Sequence, residues 1–333
     1  MKLLPNPVVS VIIVSWNSKK YLQTCLDKLA AQTFSDFEVI LVDNGSEDGA
    51  LDEIQDWHRL PRLQIKKLGM QQGFAAANNI GARLASGKWL ALLNSDAFPE
   101  PDWLEQLLRA AERAPGYSSF SSRQIQLNAP HLLDGAGDAY HISGLAWRNG
   151  YKLASASHGL QQKEVFSPCA AAALYARDKF LTVGGFDEDY FSYFEDVDLG
   201  FRLRLGGEKC LYVPEAVVHH IGSASTGKRS DFSTYHGYRN MIWTFVKNMP
   251  APWLWVFLPL HMAAILFFAA YLTIRGQGKA IWKAIFDAIA GLPKTIEKRK
   301  VIQRSKSTKW NELWKVMSTG VFEPLQEFLR RNQ

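Results

Sequence analysis

The sequence predicts an α/β protein: a Rossmann-like, mainly parallel sheet flanked by helices, followed by C-terminal helices that associate with a membrane. Buried strand runs alternate with amphipathic helix patterns over roughly the first hundred residues, which is the signature of a parallel sheet covered on both faces. A run without Asp, Glu, Lys or Arg, Pro252 to Ile274, comes much later. A basic, amphipathic segment follows it.

Val8 to Trp16 is apolar and β-branched, fit for a strand buried on both faces. Tyr21 to Gln32 places Tyr21, Leu22, Cys25, Leu26 and Leu29 on one side of a helix. Phe37 to Val42 reads as a second strand, Gly49 to His58 as a second helix, and Leu63 to Leu68 as a third strand. Phe74 to Ala85 is the next helix and Trp89 to Leu93 the fourth strand. Asp102 to Arg113 is a helix opened by Pro99 and Pro101. From Tyr117 to Val165 the pattern weakens into short strands and loops rich in Gly, Ser and Asn. Order returns at Phe166 to Ala176 and through Val183 to Leu205, and a short strand, Cys210 to Val213, leads to a histidine pair.

Pro252 to Ile274 would make a helix about 35 Å long, enough to cross a bilayer. Trp253 and Trp255 suit an interfacial belt, whereas Pro259 and His261 suit a re-entrant or interfacial helix, or one buried in a core. Lys279 to Leu292 carries Ile281, Trp282, Ile285, Phe286 and Ile289 on one face, as a helix lying among head groups does. The expected organisation is a body over residues 1–230, divided near 115, then a connecting helix over 231–250. An apolar helix over 251–275 and amphipathic basic helices over 276–333 complete it.

Across 333 residues, 47% are hydrophobic and 21% charged, so the chain folds. The net charge of +6 is concentrated in Lys294, Lys298, Arg299, Lys300, Arg304, Lys306 and Lys309. That run adjoins an apolar segment and carries no nucleic-acid-binding signature, so anionic lipid is the expected partner and nucleic acid is not. Three scattered cysteines, Cys25, Cys169 and Cys210, form neither a disulfide framework nor a cysteine metal site. Met1 to Pro7 lacks the apolar stretch of a signal peptide, so the body is expected in the cytosol.

In open α/β sheets, ligands sit beyond the carboxyl ends of the strands. Three polar clusters fall there: Ser15-Trp16-Asn17, Asp43-Asn44 and Asn94-Ser95-Asp96. Each alone could simply cap the next helix; together they can line one crevice. Acidic groups there can hold ribose hydroxyls, and Asp96 can bind a hard cation that bridges two phosphates. The chain has no GxGxxG and no GxxxxGK[ST], so a metal ion is the expected means of neutralising a diphosphate. Glu195, Asp196 and Asp198 fall within four positions, between Phe194 and Arg202. Like charges so close raise one another's proton affinity, which suits a general base; the alternative is a charged helix surface balanced by Arg202 and Arg204. His219 and His220 can supply an imidazole metal ligand or merely hydrogen-bond.

These pieces resemble family 2 glycosyltransferases of the GT-A fold, in particular bacterial rhamnosyltransferases that build surface polysaccharides. The matching segments are Val11 to Asn17, Val42 to Ser46, Gly73 to Asn79, Leu93 to Asp96, Gly184 to Glu188, Tyr193 to Leu199 and His219 to Gly222. Tyr238-Arg239-Asn240, with the apolar stretch after it, also fits this branch. The resemblance implies a nucleotide-sugar half before about residue 115 and an acceptor half after it. It implies that Ser15, Asn17, Asp43 and Asn44 meet the nucleoside, and that Asn78 or Asn79 lies near the donor phosphates or sugar. Asn94-Ser95-Asp96 stands where the family has a DXD motif, with Asp96 near Mg²⁺ or Mn²⁺ and His219 or His220 as a further ligand. Asp196 is the implied general base, Glu195 and Asp198 support it, and Gly185, Phe186, Asp187 and Arg202 lie on the acceptor side. Asn94 departs from the usual first Asp and is a weaker ligand.

The expected activity is an inverting transfer of rhamnose from dTDP-rhamnose to a lipid-linked saccharide at the cytoplasmic face of a bacterial membrane. A UDP-hexose or UDP-N-acetylhexosamine donor is the alternative within that chemistry. Nucleotidyl transfer is disfavoured because Ser15-Trp16-Asn17-Ser18-Lys19-Lys20 lacks a glycine-rich loop, and a non-catalytic scaffold is disfavoured by the Glu195-Asp196 pair.

Overall fold

A computed structural model describes residues 5–222 and 230–332. Met1 to Leu4 of the N-terminal segment, and residues 223–229 after the histidine pair, lie outside the described residues.

The first half runs β1 (Val9–Ser15), α1 (Lys19–Ala30), β2 (Phe37–Asp43), β3 (Leu63–Lys67), α2 (Phe74–Leu84), β4 (Trp89–Asn94), β5 (Ala97–Pro99) and α3 (Trp103–Arg113). Period-two alternation along these strands builds two cores at once. Val9, Val11, Ile13, Val39, Leu41, Ala91 and Leu93 face α1 and α3. Ile12, Ile40, Val42, Leu90 and Leu92 face α2 and elements further along. Each such Val, Leu or Ile side chain contributes about 1.5–3 kcal/mol on burial, so a one-residue slip would cost every strand both faces.

No α-helix forms over 49–58. Only Ala50 there is fully buried, Trp57 is 61% exposed, and Asp56 turns the chain with φ +50. A single 3-10 turn, Trp57–Arg59, is all that remains of the expected helix. Ala50 joins the core and Leu51 and Ile54 pack partly against it, but from turns and not from one face of a helix.

The second half adds β6 (Ser119–Gln126), β7 (Leu133–Gly135), β8 (Asp138–Tyr140), β9 (Ala146–Arg148), β10 (Lys163–Val165), β11 (Ala172–Ala176), α4 (Arg177–Thr182), α5 (Glu195–Leu205) and β12 (Cys210–His220). The main sheet has the order β10-β12-β6-β11-β4-β1-β2-β3. β3, β2, β1 and β4 are mutually parallel, and β11 runs antiparallel to both β4 and β6. β12 is longer than its sequence suggests. Pro214 cannot donate to the ladder, and a bulge between Val213 and Val217 carries the strand past it to the histidines. β8 and β9 pair separately as a small ribbon.

Six helices follow: α6 (Asp231–Asn248), α7 (Trp253–Leu272), α8 (Gly278–Ala290), α9 (Leu292–Arg304), α10 (Trp310–Val316) and α11 (Glu323–Asn332). A third core, including Tyr140, Phe166, Phe201, Phe245, Met249 and Leu254, welds α6 and α7 to α5 and the β8–β9 ribbon. α7 buries Leu254, His261, Ile265 and Ala269, one stripe of the helix, and exposes Trp255, Val256, Leu260, Met262, Leu266 and Phe267.

Candidate active site

Register gathers the strand-end residues. Ser15 lies opposite Asp43, and Val14 opposite Asn94, in adjacent parallel strands. Asp43, Ser15 and Asn94 therefore line one edge of the sheet, with strands about 4.8 Å apart. The hydroxyls of Ser15 and Ser95 both donate to Ser18 Oγ, at 3.2 and 2.9 Å, tying the ends of β1 and β4 together. Asp43 Oδ1 accepts from Ser46 N–H at 3.3 Å, Asn44 Oδ1 from Gln72 N–H at 2.8 Å, and Asn17 Oδ1 from Glu47 N–H at 2.9 Å. The three polar side chains thus organise the turns around the crevice.

β5 pairs with the end of β12, which sets His220 opposite Ala97 and next to Asp96. His220 is buried, its Nδ1 lies 2.8 Å from Asp134 Oδ2, and its Nε2 faces Asp96 Oδ1 at 3.4 Å. Burial pushes the imidazole pKa down, but Asp134 and Asp96 more than offset this and raise it to about 9. Nε2 makes no well-formed hydrogen bond. Between two carboxylates the imidazole carries a proton on each nitrogen; a divalent cation bound at Asp96 would displace the Nε2 proton and leave Nδ1–H held by Asp134, the arrangement of a metal-ligating histidine and its supporting acid. The residues present therefore fit a divalent cation held by Asp96 and His220. His219 points to the opposite face of β12, where Nε2 lies 2.9 Å from Glu100 Oε1, so the two histidines do not act together.

Asp196 stands in the first turn of α5. Its Oδ2 accepts from Ala170 N–H at 3.2 Å and its Oδ1 from Val197 N–H at 2.8 Å. The neighbouring Ala171 carbonyl accepts from Asn94 N–H at 2.9 Å, so Asp196 is anchored one residue from the contact that closes the end of β4. Burial raises its pKa, and the Ala170 and Val197 amides and Arg148 only partly counter this. Ligand atoms of Asp138, Cys169 and Asp196 lie within 4.8 Å of one another. Burial pushes the Cys169 thiol up to about 12, so without a cation it stays protonated. Glu195 is buried, with Oε2 unpartnered, and burial followed by the Asp196 charge raises its pKa well above the carboxylate range.

Other expected site residues are also hydrogen-bonded or packed within the protein. Asn78 Nδ2 donates to Phe74 O at 2.9 Å. Asn79 grips the Phe186 backbone, donating to its carbonyl at 2.9 Å and accepting from its N–H at 2.8 Å. Gly185, with φ +66, lies so close that a Cβ would sit 2.4 Å from Asn79 Oδ1. Phe186 packs edge-on against Phe180. Arg202 donates to Asp198 Oδ2 and to Val183 O, at 2.8 and 2.7 Å. Asp187 accepts from Lys247 at 2.5 Å and from Lys298, and Lys247 also reaches Asp198 at 2.8 Å. Both carboxyls are pushed up by burial, and their cationic partners more than offset this, holding them below the usual range.

Asp134, Asp138 and Arg148 belong to the site's surroundings and were not foreseen. Arg148 is ion-paired with Asp134, and burial opposes its charge while Asp134, Asp138 and Asp196 favour it. They lie in the weakly patterned stretch before Val165, where three-residue strands leave no periodicity to read.

The sequence profile described as "Glycosyl transferase family 2" matches residues 10–178. An N-acetylglucosaminyl-diphospho-decaprenol L-rhamnosyltransferase of Mycobacterium tuberculosis is 30% identical over 273 residues, spanning 74% of this chain and 86% of that protein. Among solved structures, Staphylococcus aureus TarS 1–349 with UDP-GlcNAc superposes with a TM-score of 0.58 at 17% identity, over 89% of this chain and 86% of that one. GalNAc-T7 with UDP, GalNAc and Mn²⁺ superposes with a TM-score of 0.59 at 18% identity, over 73% of this chain and 48% of that one. Both share the GT-A arrangement of a mostly parallel sheet between helices.

Proposed function

The chain belongs to glycosyltransferase family 2, and from that premise we propose that it transfers rhamnose from dTDP-rhamnose to a hydroxyl of a lipid-linked saccharide. The reaction is placed at the cytoplasmic face of a bacterial membrane, in the building of surface polysaccharide. The rhamnosyltransferase relative supports rhamnose as the sugar and a lipid-linked acceptor.

The observation that carries the reading is the setting of Asp196, a half-buried carboxylate oriented by the Ala170 and Val197 amides, with Ala171 O accepting from Asn94 N–H at the end of β4. In one inverting displacement, the acceptor oxygen bonds to the anomeric carbon as the bond from that carbon to the diphosphate oxygen breaks. The acceptor proton passes to Asp196, and the nucleoside diphosphate leaves with the electron pair. A raised proton affinity favours Asp196 as the receiver. Asp43 and the Ser46 and Glu47 turn form the nucleoside end. Asp96 and His220 would hold Mg²⁺ or Mn²⁺, which neutralises the diphosphate charge when bound. No substrate contact is assigned to Asn79, Asp187, Asp198, Arg202 or His219, whose side chains are bound within the protein.

Purified protein with a polyprenyl-diphosphate saccharide, offered dTDP-rhamnose, UDP-glucose and UDP-N-acetylglucosamine in turn, tests this. Transfer from dTDP-rhamnose, abolished by EDTA and restored by Mn²⁺ or Mg²⁺, is expected. Transfer from a UDP-sugar alone moves the donor assignment; release of nucleoside diphosphate from none of them refutes the activity.

A further inference from the structure

Arg239 and Asn240 touch none of the groups assigned to donor, metal or acceptor, yet they hold the segment that leads into Asp196. Three of the four residues before Glu195 have positive φ: Phe191 (+64), Tyr193 (+69) and Phe194 (+67). None is glycine, so each occupies a conformation that L-residues rarely adopt. Phe191 has ψ −61, and Ser192 N–H donates to Tyr190 O at 2.7 Å, which is a γ-turn of the rarer, strained hand. Such backbone persists only where its surroundings over-determine it.

Two side chains of α6 supply that restraint. Asn240 Nδ2 lies 2.9 Å from Tyr190 O, 3.0 Å from Ser192 O and 2.7 Å from Tyr193 O. Arg239 donates to Asp189 O at 3.0 Å and to Tyr190 O at 3.1 Å. Four loop carbonyls are therefore taken by two adjacent residues. Arg239 Nε also donates to Asn240 Oδ1 at 3.0 Å, which turns the amide so that its NH₂ meets the loop. From the opposite side, Ala75 N–H donates to Phe191 O at 3.2 Å, and the Phe191 ring lies against Gly73, where a Cβ would come within 2.6 Å. The loop ends at Phe194, whose carbonyl accepts the Asp198 N–H at 2.9 Å and so starts α5. Its path fixes where the first turn of that helix, and Asp196 with it, points.

We propose that Arg239 and Asn240 are positioning residues: they clamp the strained 189–194 loop so that Asp196 is presented to the acceptor hydroxyl. This rests on the reading of Asp196 as the base. α6 is in turn held by α9, where Arg299 donates to Met249 O at 2.6 Å, so the C-terminal helices brace the catalytic turn.

Asn240→Asp keeps the shape, removes both N–H donors and sets a carboxylate against three carbonyls. A displacement of the base by about 1 Å should lower kcat roughly 10²-fold. The KM for donor and the Kd for nucleoside diphosphate should stay within about twofold of wild type, because the donor contacts lie on other elements. Amide exchange over 190–197 should quicken while β1, β2 and β4 keep their protection. Arg239→Lys, which retains the charge but not the fork, should give the same pattern in weaker form and serves if Asn240→Asp fails to fold. Wild-type kcat with unchanged exchange over 190–197 overturns the clamp. So does exchange that quickens equally across the sheet, since that marks a general loss of stability. If the wild-type protein transfers no sugar at all, it is the Asp196 reading that falls, and loop exchange in the two variants still decides whether Arg239 and Asn240 hold the segment.

Discussion

Asp196 carries a pH prediction. A general base works only when ionised, so activity must fall as pH drops through its pKa. Burial raises that pKa above the ordinary aspartate value near 3.9. The acid limb of kcat/KM is therefore expected at higher pH than an exposed aspartate would give, and Asp196→Asn should abolish that limb while lowering kcat roughly 10²–10⁴-fold. Nucleoside diphosphate binding should survive the substitution. A variant with near-normal turnover removes Asp196 from the mechanism. Glu195 differs because it is buried, unpartnered at Oε2 and raised well above its usual range. A raised carboxyl contributes stability that is fully present below its unfolded pKa, about 4.3, and is lost as pH rises through its folded value. Glu195→Gln should match wild type in Tm near pH 4 and exceed it increasingly from there upward. A constant Tm difference across pH would show that Glu195 does not stay protonated.

The ion cluster between α5, the Gly185–Asp189 turn and α6 belongs to the element scale. Lys247 is about 2% exposed and bridges Asp187 and Asp198. Lys247→Met would leave two buried carboxylates short of a cation, at a cost of about 3–5 kcal/mol. Thermal denaturation should show Tm lowered on the order of 10 °C; a shift under about 2 °C would mean that Arg202 and Lys298 suffice. Elements of this kind mark the limit of what the sequence discloses. The strands β1, β2 and β4 were legible because burial on both faces demands continuous apolar runs. The strand-end clusters were legible because sheet topology dictates where they go. Asp187 and Asp198 stand among the motifs, but both pair with cations of the C-terminal helices, and Arg202 braces Asp198, which only the tertiary structure reveals. Asp134, supporting His220 from the three-residue strand β7, has no periodic or motif signal at all. The expected helix over 49–58 failed because Ala50, Leu51 and Ile54 reach the core from turns, while Trp57 and the polar residues between them stay exposed.

Across the whole molecule, Trp253–Ala290 is the one helical stretch among the described residues long and apolar enough to cross a membrane, and from its packing we propose that α7 lies in a bilayer interface. His261, near the middle of α7, stacks on Phe245 with centroids 4.0 Å apart, and its Nδ1 lies 2.7 Å from Ser143 O. Trp253 stacks on Trp310 at 4.6 Å, and Ile265 packs in one cluster with Met241 and Ala288. Beyond α9 the chain returns to the body, where Ser307 N–H donates to Leu205 O at 2.9 Å. A crossing helix would place this return on the far side of the membrane from α5. The outward face carries Trp255, Leu266, Phe267, Trp282 and Phe286. From Arg275 to Lys309 the acidic residues are only Asp287 and Glu297, against a run of basic ones that suits anionic head groups. The full chain should therefore float with vesicles containing phosphatidylglycerol, and much less with neutral ones. Phe286→Asp together with Trp255→Asp should release it. Cys25, Cys169 and Cys210 are all buried, so cysteines introduced at the exposed positions Ala251 and Ser305 can be labelled selectively. An impermeant maleimide added outside the vesicles should label both if α7 lies in the interface. Labelling of Ala251→Cys with protection of Ser305→Cys would instead establish a crossing, and the packing of α7 against Phe245 and Ser143 would then have to open on insertion.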